Sequence, residues 1–122
     1  MLIFIRIFLV LYGVIALATG AGVILEPYDG VMAPLEDNSH RFIGAIWAST
    51  ALGFFYVMWK PSETALFRFL LIALFIGGIV RAAALVYYPP DPAIIALILL
   101  ELIPTPIMWF FQSRLMNSGR FE

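Results

Sequence analysis

The sequence predicts an all-α, membrane-spanning four-helix bundle, up-down-up-down, with both termini on the cytoplasmic side. Three observations predict it. The 122 residues are 63% hydrophobic and only 12% charged, with a mean hydropathy of +1.00, far from the balance of a soluble domain. Four apolar runs approach the roughly 20 residues a helix needs to cross the hydrocarbon. Between them stand short clusters of Pro, Gly, Asp and Ser, the residues that stop helices and start new ones.

The spans are read as about 3–25, 41–59, 64–86 and 92–111, within a single domain covering 1–122. Glu26-Pro27 and Asp29-Gly30 end the first, whose small-residue stretch Ala18-Thr19-Gly20-Ala21 resembles a cleavage site. Its apolar run is longer than a signal core, so the segment is expected to be retained. Asp37-Asn38-Ser39 offers N-caps for the second helix, after a connection of about fifteen residues that is the main polar segment of the chain. Lys60-Pro61-Ser62 turns into the third helix. Tyr87-Tyr88-Pro89-Pro90 closes it, and Asp91-Pro92 is an N-cap followed by proline at the first helical position of the fourth. Pro104-Thr105-Pro106 should kink that last helix just past Glu101.

Arg6, Lys60, Arg68, Arg114 and Arg120 fall on the side of the termini and the second loop, and only Arg41 and Arg81 fall towards the other. Positive charge favours the cytoplasmic face, which sets the orientation. A net charge of −1, with seven basic and eight acidic residues, excludes nucleic acid as a partner. The absence of Cys and the single His exclude disulfide scaffolds, thiolate chemistry and multi-histidine metal sites. No cofactor or metal and no catalytic residue are expected, and no nucleotide-binding or hydrolase motif is present.

Charges inside the hydrocarbon are costly and usually face a protein interior or a cavity. Arg81 lies about 9 Å below the outer end of helix three, and Glu101 about 13 Å into helix four from the same side. An Arg81–Glu101 pair is therefore expected. Gly77, Gly78 and Ala82 on helix three, Arg41, Gly44, Ala45 and Ala48 on helix two, and Tyr12, Ala16, Thr19, Gly20, Val23 and Glu26 on helix one join small residues to polar ones at helical spacing. This suggests an outer-half polar cluster of Arg81, Glu101 and Arg41, with Glu26, Asp37, Asn38, His40 and Tyr12 towards its mouth. Asp37, three residues before His40, is placed to orient that imidazole.

The same residues serve equally as ion pairs that hold a bundle in register. Read functionally, the chain is a non-catalytic accessory or interaction subunit of the membrane, or it binds a lipophilic small molecule whose polar head the cluster receives. Its partners are then the lipid bilayer, a membrane protein or a second copy, and a lipophilic ligand. The alternative is a small isomerase- or cyclase-type enzyme with Glu101 as acid or base. Proton or ion translocation would need polar groups through the inner half, where Thr50 and Thr105 stand nearly alone.

Asn38-Ser39-His40-Arg41-Phe42-Ile43-Gly44, together with Gly77-Gly78-Ile79-Val80-Arg81, a short Asp/Pro turn and Glu101, resembles a family of small four-helix membrane proteins, the domain of unknown function numbered 4345. The resemblance spans nearly the whole chain. It implies a bacterial cytoplasmic-membrane location and no assigned activity, and it marks Asn38, Arg41, Arg81 and Glu101.

Overall fold

Apolar runs without internal breakers become helices wherever backbone groups have no other way to be satisfied, and this computed structural model, described for residues 1–119, is helical throughout apart from its turns. Helix α1 (Leu2–Leu25) stops where Pro27 follows Glu26. The connection then closes on itself: Asp29 Oδ1 accepts from Val31 N at 2.9 Å, Tyr28 donates its hydroxyl to the Met32 carbonyl, and Gly30 takes φ +77°, which side chains disfavour.

Helix α2 runs Pro34–Trp59, seven residues earlier than the sequence reading placed it. The expected caps Asp37, Asn38 and Ser39 therefore lie inside the helix, and the connection shrinks to residues 26–33. Pro34 explains the difference. With Ala33 extended at φ −60° and ψ 147°, proline occupies the first turn, where its missing N–H costs nothing, and Glu36 and Asp37 favour the positive helix end. A hydrophobicity criterion starts the helix only where polar residues cease, and so misses a polar first turn.

Helix α3 is Thr64–Ala84, shorter than read, because Leu85 to Tyr87 turn back through bonds to Ala82, Ala83 and Ala84. Helix α4 (Pro92–Leu102) begins at the Asp91 cap, whose Oδ1 accepts from Ala93 N at 2.7 Å. Ile103 separates it from α5 (Pro104–Ser118), since Pro104 and Pro106 lack the donors that would continue the ladder. Thr105 donates its hydroxyl to the Glu101 carbonyl at 2.8 Å, so the break does not strand that oxygen. Counted together, α4 and α5 make the fourth of four helices, among the described residues, that are long and apolar enough to cross a membrane.

The helices pack into two compact units, Arg6–Lys60 and Met1–Ile5 with Pro61–Glu122. In the first, α1 and α2 meet through small residues. A Cβ on Gly20 would lie 2.5 Å from Ala48 N and 2.6 Å from the Gly44 carbonyl, so the two backbones touch. Phe8, Tyr12 and Phe54 continue the contact as a run of rings. In the second unit, Gly78 receives Leu102 and the Cβ of Glu101, while Thr64 meets Gln112. Large apolar side chains such as Ile3, Phe42, Leu52, Phe69 and Val80 are left exposed, which suits contact with lipid rather than water.

Candidate functional site

Arg81 and Glu101 meet. Helix α3 carries Arg81 in its last turn, and α4 carries Glu101 one residue before its end. Gly77 and Gly78, one turn back from Arg81, let α4 come close: a Cβ on Gly78 would fall 3.0 Å from the Glu101 Cβ, and one on Gly77 3.8 Å from Glu101 Oε2. Arg81 Nε donates to both carboxylate oxygens, at 3.0 Å to Oε1 and 3.2 Å to Oε2. The exposure is unequal. The Arg81 side chain is 46% exposed and that of Glu101 only 12%. Among the described residues the two terminal nitrogens of Arg81 make no hydrogen bond, so four N–H donors of the guanidinium are without a protein acceptor.

Arg41 belongs to the other unit and has a different task. Its Nε and Nη2 hold Asp37 Oδ2 and Oδ1 at 2.8 and 3.1 Å, a two-pronged contact one helical turn apart. Its Nη1 donates to the Ile24 carbonyl at 2.9 Å, satisfying an orphan acceptor at the end of α1 and ties α2 to it. Both oxygens of Asp37 are thus engaged by Arg41 rather than by His40, which is exposed, as are Asn38 and Glu26. Tyr12 stacks on Phe8 with ring centroids 4.2 Å apart. It sits fourteen residues before Glu26, about 21 Å along the helix axis, and so not beside it.

A second polar group, not singled out from sequence, joins α3 and α5. The Arg68 guanidinium lies over the Trp109 ring, 4.7 Å from its centroid, and donates to Ser113 Oγ at 3.3 Å. One turn away, Gln112 Nε2 donates to Thr64 Oγ1 at 3.3 Å. Gln112 is fully buried and its Oε1 accepts from no described residue, nor does Arg68 Nε find an acceptor. The signal was the pair Thr64 and Arg68 at helical spacing. It went unread because the last span was ended at 111, whereas α5 continues past Gln112 to Ser118. Arg120, counted above for orientation, lies outside the described residues.

Trp109 also borders an apolar groove of about 300 Å³ lined by Leu71, Ile72, Phe75, Thr105 and Pro106, beside the proline break. The Glu101 carboxylate is not part of its lining. Among the described residues no three His, Asp or Glu side chains gather to hold a metal ion.

Among the described residues the fold is all-helical with four helices apt for a membrane, and charges paired between or along them, which defines a class: small proteins compatible with multi-pass insertion. Within it, the model of the family described as Domain of unknown function (DUF4345) matches residues 1–112, and the chain belongs to that family. No curated protein and no solved structure matches it.

Proposed function

We propose that this is a small multi-pass protein of the bacterial cytoplasmic membrane, an up-down-up-down bundle with cytoplasmic termini, that works without catalysis. It holds the polar head of a lipophilic molecule at Arg81, as an accessory or interaction subunit. The supporting observation is the division of labour within one guanidinium: Nε serves Glu101, and the remaining donors stay half-exposed. A planar fork of N–H groups suits an acceptor oxygen on a ligand. Fixed by Glu101 and by the close packing at Gly78, it is already oriented before a ligand arrives.

The acid–base alternative asks for space around the carboxylate. Both Glu101 oxygens instead face Arg81 Nε, and the groove opens on Thr105, one turn further along. Native mass spectrometry of protein released gently from its own membrane tests the reading. Wild type is expected to carry a lipophilic molecule that Arg81→Gln loses. Equal retention by both proteins would refute a role for Arg81 in holding it.

A further inference from the structure

The Arg68 end of the groove has the makings of a second site, independent of Arg81. We propose that it binds one anionic phospholipid of the leaflet bordering the Lys60–Glu63 turn, with the phosphate at Arg68 and an acyl chain in the groove. Arg68 lies four residues into α3, about 6 Å from the helix start, where a headgroup is within reach of a long side chain. Leu71, Ile72 and Phe75 follow on the same stretch of α3 and supply one wall, while Thr105, Pro106 and Trp109 supply the other. Trp109 is the hinge between the two halves: its ring borders the groove and also carries the guanidinium.

Charge supplies the choice of occupant. No carboxylate pairs with Arg68 among the described residues; its contacts are one hydroxyl and one aromatic face. Its Nε is enclosed and finds no acceptor, so no protein oxygen offsets the charge there. A cation held this way in an apolar setting gains most from an anion. A neutral headgroup offers less, and an apolar helix of another protein would leave the charge uncompensated.

The test uses the full chain with Trp47→Phe and Trp59→Phe, so that Trp109 alone fluoresces, reconstituted in vesicles containing phosphatidylglycerol or phosphatidylcholine with brominated chains, which quench on contact. Brominated phosphatidylglycerol is expected to associate at Trp109 about fivefold more strongly than brominated phosphatidylcholine, the scale of one basic side chain at an anionic surface. Arg68→Gln should bring the two to parity, and Arg68→Lys should keep most of the preference. Equal quenching by both lipids in the Trp109-only protein overturns the proposal, as does a preference that survives Arg68→Gln. Quenching by neither lipid also overturns it, because the groove is then covered by another helix. Should Arg68→Gln fail to reconstitute, the Trp109-only protein still decides, since its preference must fall at high salt.

Discussion

The two helical units join their helices by opposite means. In α1 and α2 the backbones touch at Gly20 and Gly44, and the Arg41 charge is consumed locally, by Asp37 one turn away and by the Ile24 carbonyl. In α3 and α4 the glycines give way to side chains, and the charges meet across the hairpin, twenty residues apart in sequence. The first arrangement engages all three Arg41 nitrogens. The second leaves a guanidinium with donors that no described residue accepts, and the difference is why the ligand is proposed there: not where charge is densest, but where a charged group is fixed and incompletely used.

Substitutions can break this contrast. The largest effect is expected for Gly20→Val, whose branches would meet Ala48 N and the Gly44 carbonyl, backbone atoms that cannot swing aside. A loss of about 3 kcal/mol follows from overpacking, read by unfolding in mild detergent. Glu101→Leu comes next, at about 2 kcal/mol, because it strands Arg81; the cost stays below that of a fully buried pair since Arg81 is half-exposed. Arg41→Ala should lower stability by less than Glu101→Leu, through the lost α1 cap and a partly exposed pair. It should free the end of α1, seen as faster amide exchange in its last turn, at Val23 to Leu25. Gly77→Ala sharpens the contrast from the other side. Its Cβ would make an ordinary 3.8 Å contact, so stability should change by less than about 0.5 kcal/mol.

Much of this was legible in the residues. Proline and aspartate at Asp91-Pro92 announced a helix start, and Pro104-Thr105-Pro106 announced the break at Ile103, because both act through the local backbone. Arg81 and Glu101 were conspicuous since charge is rare in apolar spans, and counting residues put their depths within reach of a long arginine side chain. The start of α2 was misread because Pro34 with an acidic first turn begins a helix before any hydrophobic signal appears. Arg41, read as part of a shared cluster, pairs with an i,i+4 partner and with an open carbonyl at the end of α1, and the second of these is invisible in sequence. The Arg68 group required knowing that α5 continues beyond Phe111.

The central claim is that Glu101 fixes Arg81 while Arg81 engages the ligand, and the double substitution Arg81→Leu with Glu101→Leu tests it most directly. With both charges removed no ion is stranded, so stability should return to within about 1 kcal/mol of wild type. Native mass spectrometry of the same protein should show gone the lipophilic molecule that Arg81→Gln loses, whatever phospholipid stays at Arg68. A double variant that still carries it, or one that is no more stable than Glu101→Leu alone, would contradict the account.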